Sequence, residues 1–154
     1  MQKELISDAI SLNSIHIDTA NYKIHEANRA LGLRLDYSGH SQPNPYSMTI
    51  LNLYDLQNKV QILDSLIVER YRAETDTRCN ADVEKRNSTL IMKNTQSKQM
   101  FDILVRSRIE RYQSHGTTEN CIDSKHRFAH QNFLLKFDGK QYQIPKQFKD
   151  EYRY

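Results

Sequence analysis

Apolar residues in the first thirty positions recur at alternating steps of three and four: Ile10, Ile17, Ala20, Ile24, Ala27 and Leu31, with Asn13 in the one position that breaks the series. That spacing is a heptad seam on one face of a helix, which Leu5, Ile6 and Leu12 widen at its start. Gly32 stands where a left-handed helix cap belongs, so the spacing predicts a helix ending near Leu31. The β-branched Ile15, Ile17 and Thr19 pull the other way, because they lose rotamer freedom in a helix, and they leave open a break between Ser14 and Asp18. Asn13 within the seam reads as a register-setting polar residue or as a cap at such a break.

A loop follows from Leu33 to Asn44, and Asn44-Pro45 has the form of a helix start, a capping side chain followed by a residue that needs no N–H donor. From there Leu53, Leu56, Val60, Leu63 and Ile67 repeat the three-and-four spacing, and the pattern predicts a second helix to about Glu74. Two helices of roughly 30 residues would each run about 45 Å at 1.5 Å per residue. Equal lengths favour an antiparallel helical hairpin, and apolar surface left over favours a homodimer. Residues 82–115 predict a third helical region, broken near Thr95 because 93–99 carry no apolar residue. Around Asp138-Gly139 the period changes to two: Phe133, Leu135 and Phe137 lie before the turn, Tyr142 and Ile144 after it, which predicts a β-hairpin. The expected fold is therefore mainly α, an elongated helical hairpin or bundle over 1–116, with a loop, hairpin and basic tail over 117–154 packed on it as one domain.

Composition narrows this further. With 4 Gly and 3 Pro in 154 residues, a turn-rich sandwich or barrel is disfavoured. The net charge of +3 is unevenly spread: residues 1–69 carry five basic against eight acidic groups, whereas 125–154 carry seven against three. The basic excess at the C-terminal end is a field an acidic partner can use. Gln2, Lys3, Glu4 and Asp8 interrupt any leader-like apolar run, and Cys79 and Cys121 read as two free thiols in a reducing, cytoplasmic setting.

Catalytic signatures are lacking: no glycine-rich phosphate loop is present, and neither cysteine lies in an activating motif. Cys121, His126 and His130, spaced C-x4-H-x3-H, are the candidate metal ligands, but a structural zinc site needs a fourth partner, so neither a zinc enzyme nor a nuclease is favoured and no cofactor is expected. More content lies in the mixture of cations and aromatics. Arg106, Arg108 and Arg111 lead into Lys125, Arg127 and Phe128, then Lys136, Lys140 and Tyr142. Lys146, Phe148, Lys149, Tyr152 and Arg153 complete the set. Tyr and Arg are favoured at protein interfaces, and cations with aromatics also suit single-stranded nucleic acid. The sequence therefore predicts a non-enzymatic module that docks another protein through this surface, with nucleic acid as the alternative partner.

Overall fold

The computed structural model describes residues 10–154, and over these the chain is a β protein. Six long strands run in a meander: β1 (Ile10–His25), β2 (Asn28–Gly39), β3 (Tyr46–Asp55), β4 (Val60–Thr75), β5 (Ala81–Ser97) and β6 (Met100–Gly116). The short β7 (Cys121–Asp123) pairs with β6, as does β8 (Arg127–Phe137), and β9 (Tyr142–Gln143) closes on the end of β8. All pairs are antiparallel, in the order β1-β2-β3-β4-β5-β6-β8-β9. The one α-helix among the described residues is α1 (Lys149–Tyr152), a single turn after a 3-10 turn over Lys146–Phe148.

The helical bundle and coiled coil expected from the spacing are thus overturned. The first expected helix is the β1–β2 hairpin, the second is β3–β4, and the third is β5–β6, whose apolar gap near Thr95 is the end of a hairpin. The seam residues do not share a stripe. Ile24, Leu53 and Leu63 lie in the main core and Ile67 in a smaller one, Ile10 and Leu31 are half-buried, and Ile17, Leu56 and Val60 are exposed. Asn13 sets no coiled-coil register: it sits at a bulge in β1, and its Nδ2 donates to Ser38 Oγ at 2.8 Å. Leu5 and Ile6, and the reading of residues 2–8 as lacking a leader, fall outside the described residues.

Bulges explain the false period. Register shifts between Leu12 and Ser14, between Asp18 and Tyr22, and between Ile67 and Glu69 change which side of the strand faces the core, so an alternation of two reads locally as three or four. The turns are hidden for a different reason, since they are built without glycine. Lys59, Thr77, Lys98 and Gln99 adopt positive φ, and Lys98-Gln99 supplies two such residues in a row, as a tight hairpin turn demands. Aspartates hold two of these turns: Asp55 accepts from the N–H groups of Gln57 and Asn58, and Asp76 from those of Arg78, Cys79 and Asn80.

Gly32 is not a helix cap. It lies within β2, where an added Cβ would come 2.8 Å from the Tyr22 ring and 2.9 Å from Asp18 Cβ, so glycine is what lets the Tyr22 ring lie across the strand. Tyr22 donates to Asp18 at 2.6 Å, and Arg34 donates to the same carboxylate oxygen at 2.7 Å.

The sheet folds back on itself at β4. Only Glu69–Thr75 of β4 pair with β5, against Ala81–Asn87, and below that point the two strands part. The C-terminal segment fills the opening: Arg153 bridges to Leu66, and the Tyr154 N–H donates to the Ser65 carbonyl at 3.1 Å, at a point where Ser65 has φ of 53°. Residues from β1 to β4 then meet those of β6, β8 and the C-terminal segment in one core, including Tyr22, Ile24, Leu53, Leu63, Val105, Phe133 and Tyr152. A smaller cluster of Met48, Ile50 and Ile67 packs with Leu35, Tyr37 and Tyr46.

Cys79 and Cys121 are not free thiols: they form a disulfide, with Cα atoms 5.6 Å apart. The pairings Ala81↔Ser114 and Gly116↔Cys121 bring the β4–β5 turn beside the β6–β7 turn and so place the two sulfurs together. No helix among the described residues is long and apolar enough to cross a membrane.

Candidate interaction surface

Residues paired across an antiparallel ladder project from the same face, and the register therefore sorts the basic residues. Thr89↔Arg106↔Asn132 and Asn87↔Arg108↔His130 form two rows across β5, β6 and β8, and Lys85↔Glu110↔Phe128 forms a third. This face is open to solvent: Arg106, Arg108 and His130 are exposed, and so is Phe128 at 49 %. The Arg108 guanidinium stacks over the Phe128 ring, 4.2 Å from its centroid. A cation on an exposed aromatic is attracted by the ring quadrupole, and the pair presents one flat, amphipathic contact. Beside it the Lys85 ammonium lies 5.3 Å from the Tyr112 ring, and the His126 ring stacks on the same Tyr112 ring at 4.2 Å while its Nδ1 meets Glu110 Oε1 at 2.5 Å. Within β5, β6 and β8 Glu110 is the one acid in these rows, and His126 engages it; the Asn87–Arg108 row continues to Glu69 on β4, which faces Arg34 at 3.5 Å.

The opposite face of the same strands carries a different set. Tyr46↔Arg72↔Glu84↔Arg111↔Arg127 is a continuous row across β3, β4, β5, β6 and β8, and Met48↔Arg70↔Arg86↔Ile109 lies next to it. Glu84 is nearly buried and accepts from three guanidinium groups: Arg111 Nε at 2.8 Å, Arg72 Nη2 at 3.1 Å and Arg70 Nη2 at 3.2 Å. Burial pushes its carboxyl up, but the hydrogen bonds from Arg111, Arg72 and Arg70 and the Arg72 charge outweigh that and hold it down at about 2. Arg86, 2 % exposed, donates to Glu151 Oε2 at 2.6 Å and to the Glu151 carbonyl, and its guanidinium lies 4.3 Å over the Tyr152 ring.

The basic and aromatic residues read from the sequence as one surface are thus divided. Arg106, Arg108, Phe128 and Lys136 belong to the outward face, whereas Arg111 and Arg127 lie on the inner one. Tyr142 and Tyr152 are core residues: Tyr142 donates to the Phe101 carbonyl at 2.7 Å and Tyr152 to Gln131 at 2.8 Å. Phe148 is half-buried and stacks on Phe133 at 4.7 Å, and Arg153 pairs with Asp64 at 3.2 Å. Lys125 is exposed before β8, Lys140 sits in the Asp138-Gly139 turn, and Lys146 and Lys149 flank Phe148. Of the metal candidates, Cys121 is consumed by the disulfide, His126 faces Glu110, and His130 lies opposite Arg108 on the outward face; no cluster of metal-ligating residues is found among the described residues.

Sequence reasoning missed Lys85 on the outward face and the whole inner row of Arg70, Arg72, Glu84 and Arg86. The alternation Arg70-x-Arg72 with Glu84-x-Arg86 is the signal that a strand reading would have used. Comparison with known proteins finds no matching family model, no similar curated protein and no similar solved structure.

Proposed function

We propose that the protein is a non-enzymatic interaction module that docks an acidic protein segment on the outward face of β5, β6 and β8. The observation that carries this reading is the exposed Arg108–Phe128 stack, with Arg106, His130 and Lys85 in the neighbouring register positions of the same sheet face. Stacked arginine and aromatic side chains are favoured interface anchors, and the surrounding cations complement carboxylates. Among the described residues Phe128 is the one exposed aromatic on this face, Tyr71 and Tyr112 being half-buried, whereas single-stranded nucleic acid binders use successive open stacking platforms, which favours protein over nucleic acid. Titrating the protein with a Glu/Asp-rich peptide and with a single-stranded oligonucleotide, each over a range of salt, separates the two. Saturable peptide binding that weakens with salt but outlasts any oligonucleotide binding supports the reading; oligonucleotide binding tighter than peptide binding at every salt concentration overturns it.

A second observation supports homodimerisation. Among the described residues β1 pairs only with β2, and residues 10–17 of its outer edge hold no Lys, Arg, Asp or Glu while exposing Leu12, Ile15 and Ile17 at 44, 56 and 61 %. Sheet edges are ordinarily protected by charge, and an uncharged apolar edge can pair with its own copy about a two-fold axis. Light scattering at micromolar concentration should give twice the chain mass, and Ile15→Lys should return a monomer; a wild-type monomer removes this part. As to compartment, the disulfide supports an oxidising environment over a cytoplasmic one.

A further inference from the structure

The inner face holds a groove of about 570 Å³ lined by the arginine row, with Arg72, Arg111 and Arg127 on its wall and Tyr46 at one end. That volume falls in the range of small-molecule sites, about 300–1,000 Å³. Glu84 takes only one nitrogen from each of its arginines, and a guanidinium has five N–H donors in a fixed fork. Arg72 and Arg111, 55 and 49 % exposed, therefore keep donors for a ligand while Glu84 fixes their positions. Arg127, next to Arg111 in register, makes no side-chain hydrogen bond or ion pair among the described residues and is exposed. In the adjoining row the buried Nε–H groups of Arg70 and Arg86 have no acceptor among the described residues. A depressed Glu84 keeps that carboxylate charged and the arginines in place at any pH near neutrality.

The groove is not uniformly cationic. Glu74 and Asp82 line its next row, with Gln113 Nε2 donating to Asp82 at 2.6 Å. We infer that the groove is a binding site for a small oxyanion whose far end carries hydrogen-bond donors, the anion on Arg72, Arg111 and Arg127 and the donors towards Glu74 and Asp82. A phosphate ester of a polyol has this chemistry. Preorganised guanidinium forks match phosphate and carboxylate oxygens in pairs, and an acceptor-rich far wall selects hydroxyl groups over a hydrocarbon.

The test is calorimetric titration of the full chain with three probes: inorganic phosphate, ribose 5-phosphate and phenyl phosphate. Ribose 5-phosphate should bind most tightly, at about millimolar Kd or better, and phenyl phosphate no more tightly than inorganic phosphate. Arg127→Ala should weaken ribose 5-phosphate about tenfold, and Arg127→Lys by less, while Arg108→Ala on the outward face should leave it unchanged. Arg127 is exposed and makes no side-chain hydrogen bond or ion pair among the described residues, and an unchanged denaturation midpoint in these variants separates binding from folding. Absence of saturable binding for all three probes, an unchanged affinity in Arg127→Ala, or a preference for phenyl phosphate would each overturn the assignment. The outcome is independent of whether an acidic peptide docks on the other face.

Discussion

Arg108 and Arg111 are three residues apart on one strand and have opposite fates. Arg108 stands on the outward face against Phe128, with no carboxylate among the described residues to hold it, whereas Arg111 turns inward and shares Glu84 with Arg70 and Arg72. The difference teaches that in this sheet arginine has two uses. On the outer face its charge is left over for a partner; on the inner face it is first spent on positioning and only the remaining donors are free. The expected consequences follow in order of size.

Reduction of Cys79–Cys121, which ties the β4–β5 turn to the β6–β7 turn, should cost about 4 kcal/mol from the loop entropy of a sequence separation of 42, read by denaturation with and without reductant. The inner set should be the one on which folding depends. Arg86→Ala removes a buried cation that donates to Glu151, leaves a void beside the Tyr152 ring, and should cost about 2–4 kcal/mol in chemical denaturation, the Glu151 carboxylate left behind being half-exposed. A loss below about 1 kcal/mol would erase the distinction between the faces.

Acid should act through Glu84. Its carboxyl is held at about 2 in the folded chain against an ordinary 4.5, so its contribution is full above about pH 4.5 and is lost as pH falls towards 2. Stability should therefore drop by roughly 2–3 kcal/mol across that window, and Glu84→Gln, although less stable at pH 7, should show a smaller drop. An equal acid response in the variant would place the titration elsewhere. The smallest effect belongs to the outer face: Arg106→Ala and Arg108→Ala should each change stability by no more than about 0.5 kcal/mol, since neither side chain holds another element in place.

How much of this was legible in the sequence differs between the two ends of the chain. The pairing around Asp138-Gly139 could be read because glycine at φ of 107° marks the turn; the observed ladder is short, Lys136↔Gln143 and Phe137↔Tyr142. The six long strands could not be read by the same rule, since Lys59, Thr77, Lys98 and Gln99 do the work of glycine and bulges break the alternation. The β-branched run at Ile15, Ile17 and Thr19 was the local clue against helix, and the seam spacing outweighed it. Among candidate site residues, Arg106, Arg108 and Phe128 were found from composition alone. Their separation from Arg111 and Arg127 requires strand parity, because on a helix 108 and 111 share a face and on a strand they do not.

The outward face as a docking surface can be tested by mapping amide chemical shifts of the full-length protein during titration with the acidic peptide. The account expects the shifts to concentrate at Arg106, Arg108, Phe128 and His130, with Arg106→Glu/Arg108→Glu weakening the peptide at least tenfold while ribose 5-phosphate affinity is unchanged. Shifts concentrated along the Arg72–Glu84–Arg111 row or the β1 edge, or a double variant that binds the peptide as the wild type does, would contradict it.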